Sequence, residues 1–220
     1  MSFWQIAWAL MAGAGYTILV TLACSIAGLS FGLSAALLGR LDWRPLNLVL
    51  SVYAYVFRSI PTLVLLFVLF FGLPGIGIRL SPFTSMILSL GLISGAYLAE
   101  VFRGAMQAVH QEEIIAAEAM GMTRFQCQLY IVLPQAFRMS VPGMINEFTS
   151  ILKYSPFAYT VGIPEIMKEA MSLTAVTLRG VEIYLSVGLI IYFLIYKMFL
   201  AAFLAAERRY RIPGLTAVAE

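Results

Sequence analysis

Charge is what this sequence has least of. Only 11% of its 220 residues are Asp, Glu, Lys or Arg, against 61% hydrophobic residues, where a soluble domain carries about 25% charged residues. No Lys, Arg, Asp, Glu or His stands before Arg40. A water-soluble fold of this length has no means of hiding so much apolar surface, whereas lipid accepts it directly. The uncharged opening stretch also exceeds the roughly 20 apolar residues that a spanning helix needs. The chain therefore reads as an all-α integral membrane protein.

Other shortages narrow the chemistry. The two cysteines, Cys24 in an apolar run and Cys127 in a polar loop, suggest neither a disulfide nor a metal framework. His110 is the only histidine, which weakens a metal site or a proton relay. The three lysines, Lys153, Lys168 and Lys197, are followed by Tyr, Glu and Met, so the chain has no GxxxxGK(S/T) phosphate loop. HExxH and GxSxG motifs are missing as well. Catalytic residues, metal ligands and cofactors are thus not expected, and any ATP hydrolysis belongs to another chain. The net charge of +3 carries no nucleic-acid signal, because the bases sit at the ends of apolar runs.

Apolar runs predict five spans in one domain over 1–220, at about 15–38, 46–71, 81–101, 139–152 and 183–205. Trp4 and Trp8, one helical turn apart, suit an interfacial segment leading into the first span. That opening stretch lacks a basic leader and is too long for a signal peptide, so it is expected to be retained. Arg40, Arg44, Arg103, Arg124, Arg138, Arg208, Arg209 and Arg211 fall on one side of such a model, and Arg79, Lys168 and Arg179 on the other. Positive charge stays inside, which puts the N-terminus outside and the C-terminus in the cytoplasm. Ser155–Pro164 is apolar but too short to span. It is either a re-entrant stretch beside a translocation path, covered by protein, or a loop lying on the membrane.

The loop at about 104–132 is the main polar excursion. Residues 112–120 read as a short helix rich in alanine and acid, with Gly121 placed to end it in a left-handed conformation. Thr123 and Gln126 match a capping box, so a second helix should start at once. A helix, a sharp turn and another helix make either a docking element or a compact connection.

Charges at membrane depth cost about 2.5–3.5 kcal/mol each and need a reason. Arg58 falls in the second span, Glu100 near the end of the third and Glu147 in the fourth. Glu100 and Arg103 are spaced to pair on a helix. Asn146 and Ser150 add polar groups beside Glu147, either lining a substrate path or bonding between helices. A carboxylate there can meet a cationic group of a ligand, and an arginine an anionic one. Lys197 can snorkel to the interface and is given no role.

The run Ile115–Pro134, IAAEAMGMTRFQCQLYIVLP, resembles the EAA loop of ABC importer permeases, with Ala116, Ala117, Gly121, Ile131, Leu133 and Pro134 on the pattern. Further blocks are similar to the polar amino acid branch (histidine, glutamate, glutamine or arginine type) over nearly the whole chain. They are FRSIP from Phe57, FGLP from Phe71, GAYLAEVFRG from Gly95, LPQAFR from Leu133, Asn146–Phe148 with Lys153, and VGIPE from Val161. The resemblance implies the type I (MetI-like) permease fold in a bacterial inner membrane. It also implies an ATPase dimer engaged through Ala116, Ala117, Glu118 and Gly121, a second permease, identical or homologous, and a periplasmic or lipid-anchored binding protein. Arg58, Glu100, Asn146, Glu147 and Ser150 remain the candidates for the path of an amino acid.

Two positions depart from the pattern. Ile115 stands where the family has its leading glutamate, with Glu112, Glu113 and Glu118 as the nearby acids. Tyr154, Ser155 and Pro156 replace the usual Asp-Thr-Ser, so any polar contact of that aspartate is absent and substrate preference can differ. A self-contained, ion-driven carrier or channel would instead transport without an ATPase. A purely structural membrane protein would not transport at all.

Overall fold

Four glycines set how the two longest helices meet. In the computed structural model, which describes residues 3–41 and 43–209, α1 (Phe3–Leu38) lies along α4 (Pro82–Gln107). Gly28 and Gly32 on α1 face Ser94 and Leu98, and Gly91 and Gly95 on α4 face Ala27 and Phe31. A Cβ on any of them would come within 2.5–2.8 Å of the facing side chain. Lipid supplies no hydrophobic drive for helix pairing, so close backbone approach through small residues four apart is how such a pair holds. Thr17, Thr21 and Ser25 donate their hydroxyl protons to carbonyls one turn back, which satisfies them inside the apolar contact. Gly95→Leu would drive a side chain into Phe31 and the Tyr53 hydroxyl. It is expected to cost about 1–3 kcal/mol or more, read as a lower unfolding midpoint in detergent; an unchanged midpoint would contradict the close contact.

Around this pair run α2 (Arg44–Ser59), α3 (Thr62–Phe67), α7 (Leu133–Tyr154) and α8 (Ile166–Thr177). A π-helical and a 3-10 segment extend α3 to Ile76. Ser81 caps α4 by accepting the Thr84 N–H, with Pro82 in the first turn where no N–H is needed. α5 (Gln111–Ala119) and α6 (Arg124–Cys127) form the polar loop. α9 (Gly180–Leu185) and α10 (Phe193–Arg209) are joined through a π-helical stretch and close the chain. Of the bases used to orient the chain, Arg211 and the side chains of Arg208 and Arg209 lie outside the described residues.

By length and composition, three described helices can cross a membrane: Trp4–Leu38, Pro82–Gln107 and Gly180–Ala201. The apolar run expected as one span at 46–71 is instead two helices bent by 103° between Ser59 and Thr62. Pro61 is the cause, since it pushes Ile60 into extended backbone (ψ 128°) and cannot donate to the helix before it. The expected fourth span sits within α7, too polar to qualify by composition, which begins six residues earlier than expected, at Leu133. Trp4 and Trp8 are exposed on the first turns of α1 rather than on a separate segment.

Ser155–Val161 is a 3-10 helix buried in protein, not a surface loop. Ala158, Val161 and Ile163 pack with Val20, Leu66 and Met86. Gly162 turns the chain with φ +95°, and Glu165, fully buried at 0% exposure, caps α8 by accepting the N–H groups of Met167 and Lys168 at 2.9 and 2.8 Å. Thr17 of α1 accepts the Ile166 N–H at 3.2 Å, and Lys168 Nζ donates to the Gly162 carbonyl. Glu165→Ala strands two part-buried donors at the start of α8 and is expected to cost roughly 1–2 kcal/mol. Thermal unfolding of the detergent-purified variant measures it; wild-type behaviour would mean that other groups cap the helix.

Candidate functional site

The bend at Pro61 opens an irregular backbone into the protein, and a cleft of roughly 620 Å³ forms beside it. Irregular backbone at membrane depth is tolerated where protein covers it or where it lines a cavity. This volume falls in the range of small-molecule sites. Arg58 and Ser59 come from the end of α2, and Ser94 and Tyr97 from α4. Asn146, Glu147, Ser150 and Tyr154 come from α7, and Phe157 from the buried 3-10 turn. Among the described residues that line the cleft, Arg58 is the one base and Glu147 the one acid.

Helical geometry explains the α7 contribution. Asn146, Ser150 and Tyr154 recur every four residues, and Glu147 stands seven before Tyr154, so all lie within one stripe facing the cleft. The Arg58 guanidinium sits over the Tyr97 ring at 5.8 Å, and the Tyr97 hydroxyl donates to the Arg58 carbonyl. Tyr53 donates to the Leu92 carbonyl at 2.8 Å and ties α2 to α4 just above. Ser94 is 1% exposed, and its hydroxyl, packed against Gly28, neighbours the Glu147 carboxylate. A cleft with one acid and one base suits a small zwitterion.

Four of the five path candidates, Arg58, Asn146, Glu147 and Ser150, thus come together. Glu100 is not among the lining residues; its carboxylate pairs with Arg103, the i,i+3 partner on α4. Ser94, Tyr97, Tyr154 and Phe157 escaped a reading that followed charge. Tyr97 did stand inside the GAYLAE block, and Tyr154 was visible as a departure, but neither has a signal of orientation in the sequence.

The loop between α4 and α7 has the expected local chemistry. Gly121 takes φ +89°, its N–H donates to Glu118 O, and the Met122 N–H donates to Ala117 O, the paired bonds of a Schellman turn. Thr123 and Gln126 cap α6 reciprocally. Gln135 donates to Glu113, fastening α5 to α7. Ala117, 2% exposed, faces the body of the protein, while Ala116, Glu118, Ile115 and Met120 face outward. Ile115, Met120 (81% exposed) and Phe125 give this tip an apolar character that a solvated loop does not need.

Comparison with known proteins identifies the family and the fold. The family described as "Binding-protein-dependent transport system inner membrane component" matches residues 28–212. The L-cystine transport system permease protein TcyB of Bacillus subtilis (strain 168) is 34% identical over 194 residues, 88% of this chain and 82% of its own. The glutamine transport system permease protein GlnP of Escherichia coli (strain K12) is 29% identical over 206 residues, 92% and 93% of the two chains. An amino acid ABC transporter solved with histidines has a chain that superposes with a TM-score of 0.86 at 31% identity, covering 95% of this chain and 99% of its own. The MetNI methionine transporter, at 20% identity and a TM-score of 0.77 over 96% of this chain and all of its own, shares the fold.

Proposed function

Because the chain belongs to the binding-protein-dependent transport system inner membrane components, as a permease subunit of an amino acid ABC importer, we propose that its cleft at the Pro61 bend is the path of a polar amino acid. The observation that carries this is the convergence of Arg58 and Glu147 in one cleft with Asn146 and Ser150. Glu147 receives the ammonium group and Arg58 the carboxylate, each as a charge-assisted hydrogen bond. The broken helix α2–α3 supplies irregular backbone at the site, an arrangement that transport proteins use around substrates at membrane depth.

The second half of the proposal concerns coupling. Ala116, Glu118 and the Gly121 turn present α5 to a cleft of the ATPase dimer, with Ile115 and Met120 as apolar contacts where a glutamate is usual. Ala117 acts from beneath by letting α5 sit close to its own chain. Five spans, an outside N-terminus and a cytoplasmic C-terminus place this loop on the ATP side of a bacterial inner membrane. The bend counts as the second span and α7 as the fourth. α7 packs against α1 and α4, and its polar stripe faces the cleft rather than those helices' apolar contact. A second permease, identical or homologous, completes the pore, and a periplasmic or lipid-anchored binding protein delivers cargo. Liposomes carrying the whole complex test this: uptake should require internal ATP and the binding protein. Uptake by the permease alone would identify a self-contained carrier instead.

A further inference from the structure

We propose that Tyr154 and Phe157 form a side-chain subsite that selects an amino acid with an uncharged side chain carrying a flat or polarisable face. The inference rests on the cleft being the cargo path and adds what that cleft prefers. Tyr154 and Phe157 stack with ring centroids 5.8 Å apart and an interplanar angle of 22°, and both rings line the cleft. Phe157 is anchored in the buried core beside Val161 and Leu66, so the pair has a rigid base.

Position and charge together fix the reading. Tyr154 lies seven residues after Glu147 on α7, about 10 Å along the axis at about 1.5 Å per residue. That is the scale of an amino acid held by its ammonium group at one end and its side chain at the other. Among the described lining residues, Glu147 and Arg58 are the only charges, and the cargo's own backbone groups use both. A basic side chain would then lie in the cleft with no acid left to meet it, and an acidic one with no base. Leaving a charge unpaired in such a site costs more than an aromatic contact returns. An aspartate at 154 would supply that missing acid; the tyrosine present supplies a ring face instead.

Binding of tritiated phenylalanine, glutamine, arginine and glutamate to the purified permease–ATPase complex in detergent, without the binding protein, tests the proposal. Wild type should prefer the two uncharged probes over arginine and glutamate by about tenfold or more. Tyr154→Ala should weaken that binding by about tenfold, Tyr154→Phe should recover most of it, and Tyr154→Asp should turn the preference toward arginine. Preference for arginine or glutamate in wild type, with Glu147→Gln still abolishing binding, would overturn the subsite and leave the cleft standing. Binding of every probe untouched by Glu147→Gln would overturn the cleft, and the subsite with it.

Discussion

Glu147→Gln is expected to reduce ATP-driven uptake by a factor of roughly 30 to 1,000. Glutamine keeps the shape and loses the charge, so the ammonium group of the cargo is left without its counter-ion beside a partly buried side chain. Truncating one partner of a desolvated charge pair costs about 2–4 kcal/mol. The position is partly buried on α7; Ser150 Oγ already donates to the Asn146 backbone carbonyl at 3.1 Å, and the Asn146 amide is uncharged. Neither replaces a carboxylate. Uptake of the transported amino acid into liposomes, with complex assembly checked by size exclusion, measures the effect. Intact assembly with wild-type uptake would remove Glu147 from the path.

The second large effect separates two adjacent alanines. Ala116→Arg should leave the permease folded but cut substrate-stimulated ATPase activity by about 30-fold or more, since a bulky charge on an exposed docking face disrupts a contact of hot-spot strength, about 2 kcal/mol or more. Ala117→Arg should fail earlier, at folding, because this side chain is buried against its own protein and an arginine there has neither space nor a partner. Yield and unfolding midpoint distinguish the two before any activity is measured. Equal stability of both variants would contradict the inward orientation of Ala117, and full ATPase activity in Ala116→Arg would contradict docking through this face.

Sequence made the loop and the charged residues legible because their signals are local. A capping box, a glycine ending a helix and an i,i+3 ion pair are written within a few residues, and all three occur where expected. Orientation about a helix axis was not legible. Glu100 and Glu147 look alike as acids at depth, yet one pairs with Arg103 and the other lines the cleft. Hydropathy also concealed the bend at Pro61, since the apolar runs on either side outweigh Arg58 and Ser59, although proline marked the place. Glu165 was visible only as part of the VGIPE block. Its burial depends on α1, 149 positions away in the bond between Thr17 and Ile166, and no local pattern reports that contact.

The most direct measurement is protection of the cleft from chemical modification. Cys24 and Cys127 are both buried, so a Ser150→Cys variant of this chain, assembled with partner subunits freed of accessible cysteines, presents its cleft thiol to a charged maleimide. Saturating amounts of the transported amino acid should slow its labelling at least about tenfold, while cysteines introduced at exposed positions outside the cleft label at an unchanged rate. Labelling at Ser150→Cys that is indifferent to cargo, in a complex that still transports, would contradict the assignment of this cleft as the path.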